Sequence, residues 1–171
     1  MRFWWGLSAA VVFLSSCGYH AGGKADLVPT GVQTIAIPAF TCYTTDYKAG
    51  DLLANSIGHE FTERTRFRVV SDLSTADAVL SGSINRIIRA PSLSDPTTGK
   101  ISTVAIIMIM SINLTERASG KVLYSRPALT IKENYEIASD PHQIFDESGP
   151  AMQRLSQNLA RDIVTSVVEN F

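Results

Sequence analysis

The side chains able to do chemistry are few and scattered. His20, His59 and His142 lie far apart, and no paired cysteines accompany them. His59-Glu60-Phe61-Thr62-Glu63 begins like a zinc-protease helix, but Glu63 stands where a second histidine must sit one turn later. A helix surface with solvated charges is the reading those five residues support. Asp72 and Asp77 flank a turn with no third ligand nearby. Gly82-Ser83 falls inside an extended stretch and not at a strand-to-helix turn, and no Gly-x-Ser-x-Gly or P-loop pattern is present. No nucleophile with a partnered base can be assembled, so the expectation is a protein that is not an enzyme and needs no cofactor or metal.

The basic residues carry more promise. Arg86 and Arg89 end one extended segment, Lys100 begins the next, and Lys121, Arg126 and Lys132 lie along a third. Arg89 and Lys100 flank the loop between two adjacent antiparallel strands, which would bring their charges together at one sheet end. Guanidinium and ammonium groups gathered there can hold a phosphorylated lipid through charge-assisted bonds. Edge-strand cations that prevent self-association are the alternative for each residue taken singly. The formal charge of −1 over 171 residues excludes a general nucleic-acid binder, which needs a basic excess.

The N-terminus is the other chemical signal. Arg2 precedes an apolar run from Phe3 to Leu14, too short to span a bilayer, which needs about 20 residues, and so a signal-peptide core. Leu14-Ser15-Ser16-Cys17 then resembles a lipobox, in which the cysteine thiol receives a diacylglycerol before cleavage. That resemblance implies a signal peptide over 1–16 and a lipid anchor (palmitate among its acyl chains) on Cys17. Gly18 after the cysteine is not the aspartate that resembles an inner-membrane retention signal, so the outer membrane, periplasmic side, is the expected location. With the Cys17 sulfur in a thioether, Cys42 has no intrachain partner.

The elements that must position these groups follow from periodicity. Residues 17–31, with Gly18, Gly22, Gly23, Pro29 and Gly31, read as a lipidated flexible leader before one domain over 32–171. Val32 to Pro38 is a first strand, and a polar loop through Cys42 and Tyr43 follows. Asp46 is placed to cap a helix from Tyr47 to about Thr65, with Leu53, Ile57 and Phe61 on one face. Phe67 to Ser71 is a short strand, which makes a right-handed βαβ unit. Ala78 to Ala90 alternates through Val79, Ser81, Ser83 and Ile87, and Ser92 to Lys100 is a turn-rich loop. Ile101 to Thr115 and Lys121 to Ile137 form a hairpin, with Pro127 at a bulge or an outward edge. Asp140-Pro141 is a helix start, Met152, Leu155, Leu159 and Ile163 make a helical stripe, and Pro150 calls for a kink or a restart. The sum is an α+β two-layer sandwich, two helices on a mixed four- to five-stranded sheet.

One strand is anomalous in that scheme. Val104, Ile106, Met108, Met110, Ile112 and Leu114 line one face of it, yet Ala105, Ile107 and Ile109 make the other face apolar too. The second face of a two-layer sheet meets water, so this strand is an aggregation hazard unless covered. Either loop 91–100 folds over it or a permanent protein partner does.

Taken together, these residues resemble the LPS-assembly lipoprotein LptE family. The match runs through Cys17-Gly18-Tyr19-His20, Pro29, Thr34-Ile35-Ala36-Ile37-Pro38-Ala39-Phe40, Arg66-Phe67-Arg68-Val69-Val70-Ser71 and Ala76-Asp77-Ala78-Val79-Leu80-Ser81-Gly82. It implies a plug inside an outer-membrane β-barrel, LptD, which the lipoprotein helps to assemble, and a part in placing lipopolysaccharide in the outer leaflet. It also implies lipopolysaccharide binding by basic residues near strand ends, for which Arg89, Lys100 and Lys132 are the candidates. Thr97 and Thr98 stand where an arginine is expected shortly before Lys100. The alternative partner is a peptidoglycan synthase, since lipoproteins that regulate penicillin-binding proteins share the strand-helix-strand opening. They carry longer linkers than residues 18–31. A small lipid hydrolase is a third option, opposed by the missing nucleophile-base pair.

Overall fold

The stripe that marks the first helix also decides the fold, because burying it needs a sheet. In the computed structural model, which describes residues 31–137 and 147–169, Leu53, Ile57 and Phe61 of α1 (Lys48–Arg64) are fully buried. They lie over β1 (Thr34–Ala36) and β3 (Arg68–Val70), which run parallel as the βαβ pattern requires. Phe61 meets Phe67 edge to face at 6.0 Å between ring centres, closing the end of this unit. Next come β4 (Ala78–Ser94), β5 (Ile101–Glu116) and β6 (Val122–Glu136), paired antiparallel, then α2 (Ser148–Glu169). The sheet order is β3-β1-β4-β5-β6. A sixth strand, β2 (Thr41–Cys42), stands where a loop was expected and pairs parallel with β4.

Both helices lie on one face. Leu155, Leu159, Ile163 and Val167 of α2 are buried against α1 and the sheet, together with Ile106, Met108, Met110, Ile112 and Leu114 of β5. Pro150 falls in the first turn of α2, where its missing N–H has no intrahelical acceptor to lose. The expected Asp140-Pro141 start lies outside the described residues. Pro127 takes the expected place: β6 is an edge strand, and its register slips between Met110–Leu129 and Ile112–Arg126.

Three expectations are corrected. Asp46 does not cap α1; its carboxylate pairs with Arg89 at 2.9 Å, and Tyr47 occupies the N-cap position without a side-chain bond. An ion pair with an always-charged guanidinium outcompetes the capping geometry here. Loop 91–100 does not fold over the sheet. Its first four residues extend β4, and Asp95 Oδ1 accepts from Thr97 N and Thr98 N at 2.7 and 3.0 Å to close a tight turn through Gly99 at φ 66°. The alternation of β4 also breaks. A bulge between Ile84 and Arg86 reverses the faces, so Val79, Ser81 and Ser83 point away from the helices while Ile87 points toward them.

Asp77 and Gly82, in the segment Ala76 to Gly82, answer plain structural demands. Asp77 Oδ2 accepts from Gln33 N, Thr34 N and Thr34 Oγ1 at 2.9, 2.9 and 2.8 Å, which fastens β1 to the start of β4. The Gln33 backbone bond, the Thr34 hydroxyl and the Thr34 backbone bond, in that order, hold this carboxyl below its usual range. Gly82 makes room for Phe40: a Cβ there would stand 2.2 Å from the Ser111 carbonyl oxygen and 2.7 Å from the buried Phe40 ring. Asp72 bonds Ser74, so neither aspartate is a free ligand.

Candidate functional site

The surface left over is the helix-free face of the sheet. Strand alternation points Ile107 and Ile109 of β5 outward, and the bulge in β4 adds Ile88, which pairs across from Ile107. All three isoleucines are half-buried by their neighbours alone. Ala90 and Ala105 extend the row, Thr103, Thr130 and Asn134 edge it, and Ser83 Oγ and Ser111 Oγ bond at 3.0 Å at its far end. Arg86 stands beside Ile109, and Lys132 stands across from Ile107. Leu93 and Ile101, at 63 and 44% exposure, continue apolar surface to the hairpin tip. An apolar row with a polar margin and two cations is the composition of a contact surface.

The three expected ligand residues are not brought together. Arg89 faces the helix layer and is engaged with Asp46. Lys132 lies on the opposite face, and Lys100 is in the turn at the tip. Arg89 pairs across from Ile106, six residues along β5 from Lys100, which puts their backbones about 20 Å apart. The cause is again the bulge, which rotates Arg86 outward and Arg89 inward, together with four extra residues of β4 beyond Ala90.

Other candidate groups have local explanations. His59 Nε2 lies 3.4 Å from Glu63 Oε1 one helical turn on, both side chains in solvent. Among the described residues no group of His, Cys, Asp and Glu could hold a metal ion. Burial pushes the Cys42 thiol up, with Asp51 and Asp46 adding to it against a bond from the Gly50 backbone; the neutral thiol is favoured there. Among the described residues no helix is long and apolar enough to cross a membrane. The lipobox and Cys17 lie outside the described residues.

Ile88 is the member of the row that sequence reasoning missed. The signal was the doublet Ile87-Ile88, where two consecutive apolar residues interrupt an alternating strand.

The architecture recurs in solved structures, two of the following three being described as lipoproteins. Lipoprotein B of Nitrosomonas europaea superposes with a TM-score of 0.57 at 16% identity, over 88% of this chain and 90% of that one. A minor lipoprotein of Acinetobacter baumannii gives 0.51 at 13% identity, over 83% and 95%. A protein of Xanthomonas campestris gives 0.52 at 16%, over 84% and 89%. These likenesses concern the fold. No curated protein matches the chain in sequence. The family model for LptE, lipopolysaccharide assembly, matches residues 32–167, the span from β1 to near the end of α2. The chain therefore belongs to the LptE family of lipopolysaccharide-assembly lipoproteins.

Proposed function

We propose that this LptE-family lipoprotein, anchored to the outer membrane by lipid on Cys17, plugs an LptD-type β-barrel, helps it assemble, and so serves the insertion of lipopolysaccharide into the outer leaflet. The observation that carries the reading is the outward row of Ile88, Ile107 and Ile109 on the helix-free face. Loop 91–100, the cover the sequence offered, is spent on extending the β4–β5 hairpin. A barrel lumen supplies the walls that the described residues do not give this face.

The placement of the ends fits the same reading. The described chain enters at Val32, beside Asp77 and Ala78 at the start of β4, whereas the tip at Asp95–Lys100 lies at the other end of a 17-residue strand. At ~3.3 Å per residue the tip stands about 50 Å from the end of the sheet where the described chain enters, long enough to reach deep into a barrel from the periplasmic side. Lys100 at the tip and Lys132 on the open face are the basic residues placed to meet lipopolysaccharide; Arg89 is held by Asp46.

The test is extraction of the tagged lipoprotein in mild detergent, followed by identification of what accompanies it. The expected companion is a heat-modifiable integral barrel, lost in an Ile107→Lys, Ile109→Lys variant that keeps its circular dichroism. Wild-type protein emerging alone and well folded defeats the plug reading.

A further inference from the structure

The helix side of the sheet holds a cleft that the barrel reading leaves unused. Arg64 at the end of α1, Arg126 on β6 and Arg161 on α2 line it, over a floor of Tyr124, Leu129 and Ile163. Its volume is about 320 Å³, within the range of small-ligand sites. The floor is apolar and largely covered, Tyr124 and Ile163 being buried and Leu129 half-buried.

The charges here are unevenly matched. Glu60 Oε1 serves two of the arginines, lying 2.5 Å from Arg64 Nε and 3.9 Å from Arg161 Nε. Arg126 meets no carboxylate among the described residues; its Nη2 donates a long bond of 3.5 Å to Ser166 Oγ. Asp162, in solvent, also lines the cleft, so among the described residues three guanidinium groups face two carboxylates. The position of Arg126 is itself a product of the fold. Without the register slip at Pro127–Ala128, strand alternation would turn residue 126 to the helix-free face; with it, Arg126 pairs across from Ile112 and faces α2. A bulge that re-aims one side chain into a cleft already holding two of the same kind is a device for a ligand, since edge protection requires no inward arginine.

We propose that this cleft binds the phosphate headgroup of an amphiphile, a phosphomonoester being the best match. Planar guanidinium forks receive phosphate oxygens in pairs, and an aromatic and aliphatic floor takes the carbon next to the phosphate. This site is separate from Lys100 and Lys132, and it does not depend on the barrel.

The experiment uses the full chain in dodecyl maltoside and isothermal titration with dihexanoyl phosphatidic acid, dihexanoyl phosphatidylcholine and inorganic phosphate. The expected result is saturable binding of one phosphatidic acid per protein and none of phosphatidylcholine. Arg126→Gln and Arg161→Gln each weaken it at least tenfold, and Arg126→Lys, which keeps charge without the fork, falls between. Competition by inorganic phosphate assigns recognition to the anion alone; failure to compete assigns it to the whole lipid headgroup. Absence of saturable binding to both phosphate compounds, or equal affinity in wild type and in folded Gln variants, overturns the proposal. Loss of barrel co-purification would leave this result unchanged, which separates the two readings.

Discussion

Replacing Gly82 by alanine tests the packing on which the sheet depends. The added Cβ would lie 2.2 Å from the Ser111 carbonyl oxygen and 2.7 and 3.0 Å from two carbons of the Phe40 ring. Real Cβ atoms do not approach so closely, so β5 must move away from residue 82, and Phe40 must either shift within its site or leave it. Neither yields cheaply. β5 is paired on both sides, and Phe40, 4% exposed, is further pinned where its carbonyl oxygen would meet a Cβ at Gly50 at 2.2 Å. Overpacking of this kind costs about 1–3 kcal/mol, and ejecting a buried aromatic about 3–5. Shifting the ring together with β5 costs less than ejecting it, so we expect a loss of about 2–3 kcal/mol. For a domain of this size that is roughly 5–10 °C in Tm, read by circular dichroism and checked by urea denaturation. In a Phe40→Ala background the ring clash disappears while the carbonyl clash stays, so the penalty should fall but not vanish. A Gly82→Ala protein within about 0.5 kcal/mol of wild type would refute the argument, because surface-like tolerance is incompatible with those contacts.

Further outcomes follow from the same structure. Asp77 has a folded-state pKa held below its ordinary value, so its stabilising effect is fully present above that value and is lost as pH falls through the lowered one. Wild type should therefore lose stability as pH falls below the ordinary carboxylate range, and Asp77→Asn, already weakened at neutral pH, should lose less over the same acid titration in parallel denaturation curves. Leu155→Ala removes a side chain with no exposure from the helix–sheet core and should cost about 2–5 kcal/mol in urea denaturation. Arg89→Ala breaks an ion pair whose side chains are 40 and 34% exposed, so solvent screening should keep the loss under about 1 kcal/mol, and thermal melts should barely shift.

Much of this fold could be read from periodicity because burial imposes it. The Leu53, Ile57, Phe61 stripe and the even-numbered residues of β5 announce a helix and a strand by their spacing, and each packs where that spacing says. What escaped was set by single-residue insertions. The extra residue near Asn85 reverses which face Arg86 to Pro91 present, and the one at Pro127–Ala128 does the same for Arg126. Alternation over a few residues carries no marker of such a slip except a doublet such as Ile87-Ile88. Hence the parallel opening pair and the long antiparallel hairpins were legible while the grouping of cations was not: Arg89, Lys100 and Lys132 belong to three different places, and Arg64, Arg126 and Arg161 share a cleft although they come from three distant segments. Asp46 illustrates a second limit. Its suitability as a cap is local, whereas Arg89 reaches it only in the folded chain.

The central claim is that the helix-free face of the sheet, and not the helices, meets the barrel. Photo-crosslinking in intact cells tests it most directly, with a photoreactive residue at Ile107 in one strain and at Gln157, exposed on α2, in another. The account predicts a barrel-sized adduct from position 107 and a far weaker one from position 157. Strong adducts from 157 with none from 107 would contradict it.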